Sequence, residues 1–84
     1  MSDPDISMEE LGELLSSSSG VRVDTAELTA ATTFDDLGLD SLAVLGVITA
    51  IERNRGVVLP PEAQETRSVR EFLTILNDTL RKAA

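Results

Sequence analysis

Leu37-Gly38-Leu39-Asp40-Ser41-Leu42 leads into the longest apolar run of the chain, Ala43 to Ile51, and this junction decides the fold. Asp40 is a strong helix N-cap, because its carboxylate can accept a hydrogen bond from an orphan amide one turn ahead. Ser41 is then the first helical residue. Its hydroxyl lies near the positive end of the helix dipole, where a phosphate ester is tolerated. Gly38 supplies a flexible backbone two residues before the cap. Leu37 and Leu39 pin the approaching chain to the core in the manner of a hydrophobic staple. Taken alone, Asp-Ser at a helix start means only capping; the functional reading rests on the residues around it.

Downstream, Ser41 to Arg55 reads as the longest helix. Its apolar residues Leu42, Val44, Leu45, Val47, Ile48 and Ile51 cover most of the circumference, where a surface helix of a small domain shows a stripe. Some of them must face solvent or a partner. The β-branched residues do not alternate with polar ones, and the run is too long for a strand. Gly46 inside the helix costs about 1 kcal/mol relative to alanine, which points to close approach of another helix or a partner. Gly56 is a C-cap. Val57-Val58-Leu59 reads as an extended linker, with a brief strand as the competing reading, and Pro60-Pro61 ends it. Pro61 to Glu65 makes a short helical turn. Ser68-Val69-Arg70-Glu71 is a capping box, opening a last helix striped by Val69, Phe72, Leu73, Leu76 and Leu80, which runs to about Leu80 and frays through Lys82.

Upstream, residues 1–6 are a polar, flexible lead. Ser7-Met8-Glu9-Glu10 is a second capping box, and Met8, Leu11, Leu14 and Leu15 recur at helical spacing. The first helix runs from Met8 to about Ser18 and stops at Gly20, its last turn weakened by four serines. Val21 to Leu39 is a long connection with single apolar anchors at Val23, Leu28, Phe34 and Leu37. Loops of such length tend to be functional. Five acids and no base lie between Asp24 and Asp40, and Thr33 to Asp36 fits one further capped turn. The prediction is an all-α single domain over residues 1–84: a four-helix bundle of three longer helices and one short one, with a long loop between the first and second.

Composition narrows the function. A chain of 84 residues with 42% hydrophobic content has room for one small core. Phe34 and Phe72 are its only aromatic residues. The net charge of -8 repels nucleic acid and anionic membranes and favours a partner with a basic docking surface. With neither cysteine nor histidine, a Ser-His-Asp triad and a Cys/His zinc site are both impossible, and no metal site is expected. There is no signal-peptide pattern and no run of membrane-spanning length, so the chain reads as cytoplasmic; it is expected to be a monomer.

With these features in place, the chain resembles an acyl carrier protein. The resemblance rests on Leu37-Gly38-Leu39-Asp40-Ser41-Leu42, Phe34 in the acidic loop, Glu52 late in the second helix, Gly56-Val57 followed by Leu59-Pro60, and Ser68-Val69 opening the last helix. It is most similar to the free-standing carriers of bacterial type II (aromatic) polyketide synthases, through Asp40-Ser41-Leu42-Ala43, Ala50-Ile51-Glu52-Arg53, Thr66 to Leu73 and Leu76-Asn77-Asp78. The resemblance implies that a magnesium-dependent phosphopantetheinyl transferase esterifies Ser41 with 4'-phosphopantetheine from coenzyme A. Asp40 would help present the serine. The arm's thiol would carry malonyl and growing poly-β-ketone groups as thioesters. The implied partners are a malonyl acyltransferase, a ketosynthase–chain-length-factor pair, and a ketoreductase, aromatase or cyclase. Asp35, Asp36, Leu42, Leu45, Gly46 and Thr49 are the implied docking residues.

Two features depart from the pattern. Carriers of fatty acid synthesis place acids along the second helix, but here its first turns read Ala43-Val44-Leu45-Gly46 and Glu52 is its only acid. Where relatives often have an aromatic before Gly-Val stands Arg55, which either loses a core contact or snorkels its stem. Leu11, Leu15, Val47, Ile51, Phe72 and Leu76 are expected in the core. Val44 and Gly46 are candidates for a partner or acyl-chain surface. The other readings are a carrier for fatty-acid, starter-unit or nonribosomal-peptide synthesis, an unmodified acidic adaptor docking through the second helix, and a hydrolase using Ser41, which has no histidine to activate it.

Overall fold

Ser7 caps the first helix, α1 (Met8–Ser19), by accepting a hydrogen bond from the Glu10 amide at 3.1 Å; Gly20, at φ 77°, ends it in the left-handed conformation. The computed structural model describes residues 5–83. The serine run does more than weaken the end of α1. Ser16 Oγ accepts from the Val23 amide at 2.9 Å, and Ser19 Oγ accepts from the Val21 amide at 3.1 Å while donating to the Leu15 carbonyl. These hydroxyls tie the loop to the helix it leaves, and α1 ends at Ser19, one residue beyond the expected Ser18.

The long loop is built from two short 3-10 turns. Asp24 caps the first, Thr25–Glu27, through the Ala26 amide at 3.0 Å; this turn was not foreseen from sequence. The second, Asp35–Leu37, overlaps the turn expected over Thr33 to Asp36 and lies one residue further on. Asp36 Oδ2 accepts from the Thr33 amide at 3.0 Å, and Thr33 Oγ1 accepts from the Asp36 amide at 3.1 Å. A single antiparallel bridge between Thr33 and Ser68 joins this turn to the start of the last helix. It is made by the Phe34 amide donating to Arg67 O at 3.0 Å and the Val69 amide donating to Thr32 O at 3.1 Å. Phe34 then meets Phe72 edge-on, with ring centroids 5.5 Å apart.

Three more helices follow: α2 (Ser41–Arg55), α3 (Glu62–Glu65) and α4 (Val69–Ala83). The bundle is all-α, with three longer helices, one short one and a long α1–α2 loop, as expected. Leu11, Leu15, Val47, Ile51, Phe72 and Leu76 form the core and are each at most 1% exposed. Val57 to Leu59 is extended linker. Glu52 holds it, its Oε2 accepting from the Leu59 amide at 2.8 Å. Helix α4 continues to Ala83, past the expected end near Leu80, and carries a Lys82–Asp78 pair at 3.1 Å one turn apart.

Of the lead expected over residues 1–6, Asp5 and Ile6 make contacts with α4, and residues 1–4 lie outside the described residues. Ile6 is buried, and the Asn77 amide brackets its peptide. The Ile6 N–H donates to Asn77 Oδ1 at 2.7 Å, and Asn77 Nδ2 donates to the Ile6 carbonyl at 2.9 Å. Asp5 pairs with Arg81, whose guanidinium holds the Asp5 carboxyl below its usual range.

Two glycines inside helices have opposite surroundings. A Cβ on Gly12 would stand 2.4 Å from Thr25 Cγ2 and 3.0 Å from Leu28 Cδ1. Here α1 and the loop cross too closely for a side chain. A Cβ on Gly46 would meet nothing within 4 Å, so no other helix of this chain uses the approach Gly46 offers. Gly46→Ala is therefore expected to stabilise the fold by about 0.5–1 kcal/mol, whereas Gly12→Val costs about 1–3 kcal/mol. Urea midpoints of the two variants check the contrast.

Candidate functional site

Asp40 starts α2 as its spacing suggested. With extended backbone (φ -85°, ψ 177°), its Oδ1 accepts from the Ala43 amide at 2.8 Å and its carbonyl accepts from the Val44 amide at 3.0 Å. The Ser41 and Leu42 amides precede the first helical hydrogen bond and have no acceptor within the helix. Leu39 and Val44, on either side of the cap, are both buried, and Leu37 is half-buried against the core. Gly38 takes φ 75° to turn the chain there. Its Leu39 neighbour donates back to the Phe34 carbonyl at 2.9 Å. The loop is thus fixed at both ends, and Ser41 is left exposed at the helix start.

Two recesses flank Ser41. One, of about 430 Å³, lies between the Asp35–Leu37 turn, the start of α2 and the segment after α3; Phe34, Leu39, Asp40, Val44, Gln64 and Arg67 are among its walls. The other, of about 250 Å³, is lined by Ser41, Leu42, Val44, Leu45 and Gln64. Of the two surfaces expected of Val44, an exposed partner face does not fit, since Val44 is a buried wall shared by both recesses. Gln64 and Arg67 were missed by sequence reasoning. Both lie more than twenty residues from Ser41, and no local spacing connects them to it.

The other candidate residues gather at the same end. Asp35, Asp36 and Asp40 are exposed around the helix start, although Asp36 also serves its own turn. Leu42 is 75% exposed and Leu45 42%. Gly46 and Thr49 continue the same face, Thr49 Oγ1 donating to the Leu45 carbonyl at 3.0 Å. Arg55, at the other end of α2, is exposed and shares a recess with Glu10, Glu13 and Leu14.

The chemistry open to Ser41 is that of an acceptor hydroxyl. Among the described residues its Oγ makes no hydrogen bond, and the nearest carboxylate in sequence, Asp40, is turned to the Ala43 amide. A serine nucleophile of a hydrolase needs a base within hydrogen-bonding reach. No cluster of three or more acidic residues among those described could hold a metal ion, and no described helix is long and apolar enough to cross a membrane.

Comparison with known proteins gives the same picture. Residues 9–76 match the family described as the phosphopantetheine attachment site. The anthracycline acyl carrier protein DpsG of Streptomyces peucetius is 43% identical over 83 residues, which are 95% of this chain and 98% of that one. A probable acyl carrier protein of Streptomyces halstedii is 39% identical over 80 residues, 93% of this chain and 87% of that one. Among solved structures, the 3,7-dioxo-octyl actinorhodin acyl carrier protein from Streptomyces coelicolor superposes with a TM-score of 0.84 at 26% identity, covering 99% of this chain and 100% of that one. The oxytetracycline acyl carrier protein superposes with a TM-score of 0.74 at 31% identity, covering 100% and 90%. The chain is thus matched over nearly its whole length in sequence and in fold, and it belongs to the acyl carrier protein family, whose members carry a covalent 4'-phosphopantetheine.

Proposed function

We propose that Ser41 is the attachment serine and that this carrier serves a type II polyketide synthase, holding malonyl and poly-β-ketone groups between the synthase's enzymes. The observation that carries the attachment site is the exposed Ser41 hydroxyl beside two amides that lack helical acceptors. A phosphodiester on Ser41 fits that place. The amides of Ser41 and Leu42 face an anion there, the dipole of α2 favours it, and Arg67 lines the adjoining recess as a counter-charge. When bound, the arm supplies a terminal thiol that takes acyl groups as thioesters, so the chemistry is the cofactor's. The protein holds the arm's root on a rigid helix start and presents one face to each enzyme. The pathway reading is supported by the relatives named for anthracycline and actinorhodin synthesis. It is also supported by the missing acids in the first turns of α2, where carriers of fatty acid synthesis are expected to have them.

On this reading the partners are a phosphopantetheinyl transferase, a malonyl acyltransferase, a ketosynthase–chain-length-factor pair, and a ketoreductase, aromatase or cyclase. Visits to them must be brief, and steering by a protein of charge -8 is screened by salt. Raising ionic strength from about 50 to 500 mM should therefore lower kcat/KM for modification several-fold through KM, with kcat unchanged. A flat salt profile in a steady-state assay would remove electrostatic steering from the account. The pathway is tested by polyketide formation from the malonyl-loaded protein with the actinorhodin ketosynthase–chain-length-factor pair. Absence of product from a fully modified carrier would argue for another synthase class.

A further inference from the structure

The exposed face of α2 is a stripe whose two ends differ in charge. Leu42, Gly46, Thr49 and Arg53 follow one another at i, i+4, i+7 and i+11, so they share one side of the helix, with Leu45 along its edge. The opposite side, Val44, Val47, Ile48 and Ile51, is buried. All five stripe residues are exposed. At the Ser41 end stand the carboxylates of Asp35, Asp36 and Asp40. At the far end, about 17 Å along the axis from Leu42, stands Arg53. Among the described residues Arg53 is in no ion pair. The one acid of α2, Glu52, is half-buried and committed to the Leu59 amide, so it does not neutralise the stripe. Between the charged ends, Gly46 leaves a dent, where an added Cβ would meet none of the described residues within 4 Å.

We infer that Arg53 is a specificity-determining docking residue, and that the stripe fits a synthase subunit whose surface is equally two-signed. That surface presents basic groups around the mouth that receives the arm, a projecting apolar side chain opposite Gly46, and a carboxylate opposite Arg53. The inference deepens the proposed function and rests on it. A uniformly basic docking face suits a carrier with acids along the helix; against this stripe it would set a cation beside Arg53. Such like-charge contacts are a common means of rejecting wrong partners. The dent and the two charges also fix the direction in which the helix lies on its partner.

The test is steady-state kinetics of the malonyl-loaded carrier with the actinorhodin ketosynthase–chain-length-factor pair, varying carrier concentration. Arg53→Glu should raise KM for the carrier about tenfold with kcat within about twofold of wild type, the size of effect expected for reversing one arm of a close charge pair. Arg53→Lys should restore the wild-type KM. Gly46→Leu, which fills the dent, should raise KM as well. Arg55→Glu makes the same change in net charge on a part of α2 that instead borders Glu10, Glu13 and Leu14, and should move KM by less than about twofold. Either of two results overturns the inference: a KM for Arg53→Glu within twofold of wild type, or an equal shift in Arg55→Glu, which would mean net charge and not position. Failure of the carrier reading has a different signature: wild-type protein would take no phosphopantetheine, and both proposals would then fall; a loaded wild-type protein that supports no turnover would argue for another synthase class and would overturn the inference with the pathway reading.

Discussion

Replacing Ser41 by alanine should abolish phosphopantetheinylation completely while leaving the protein folded. The hydroxyl is exposed and makes no hydrogen bond among the described residues, and the helix cap is Asp40. The stability change should therefore be within about 0.5 kcal/mol. Loss of function is expected to be total because the junction presents one hydroxyl, and the threonines nearest in sequence or in the adjoining recess are engaged elsewhere. Thr33 Oγ1 accepts from the Asp36 amide, Thr49 Oγ1 donates to the Leu45 carbonyl, and Thr66 Oγ1, in the recess, accepts from the Ser68 amide. Asp40→Ala separates the two roles of the junction. It removes the acceptor for the Ala43 amide, costs about 1 kcal/mol, and slows modification without preventing it. Intact mass spectrometry and urea unfolding of both variants check this. A Ser41→Ala protein that still gains the arm would move the attachment site elsewhere.

The largest loss of stability is expected from Phe72→Ala, about 3–5 kcal/mol. Phe72 is fully buried in α4 and meets Phe34 edge-on at 5.5 Å. Small domains have total stabilities on the order of 5–15 kcal/mol, so this one truncation removes a large share. Phe34→Ala should also destabilise, and it should further release the acidic turn that Phe34 anchors beside Ser41. A double-mutant cycle should give a coupling of about 0.5–1.5 kcal/mol for the ring pair. Urea unfolding is the measurement. A cost below about 1 kcal/mol for Phe72→Ala would mean that the ring is not a core contact in solution.

The features that could be read from sequence are those fixed within one turn of helix. Ser7, Asp40 and Ser68 cap from their own side chains, and Gly20 and Gly56 end helices through their own backbone, so α1 and α2 were placed to within a residue. The Thr33–Asp36 turn was legible for the same reason: both its hydrogen bonds span three residues. What escaped was set by the fold. Asn77 brackets the peptide of Ile6 across 71 positions, and nothing near Ile6 in sequence announces it. Gly12 looks like an ordinary surface glycine until Thr25 and Leu28 are brought against it. Val44 was left between a partner surface and an acyl-chain surface because the second helix is apolar nearly all round, and only the fold shows it buried as a wall of the recesses beside Ser41. Gln64 and Arg67 reach the Ser41 recesses through the Thr33–Ser68 bridge and the placement of α3, which no local pattern encodes.

The central claim, that this protein works as a carrier through an arm on Ser41, is tested most directly by mass. The unmodified wild-type protein is incubated with coenzyme A, magnesium and a broad-specificity phosphopantetheinyl transferase, and the product is read intact and after proteolysis. The account predicts a gain of one phosphopantetheinyl group, located on Ser41. No gain by folded protein, with either this transferase or the cognate one, or a gain located on any other residue, would contradict it.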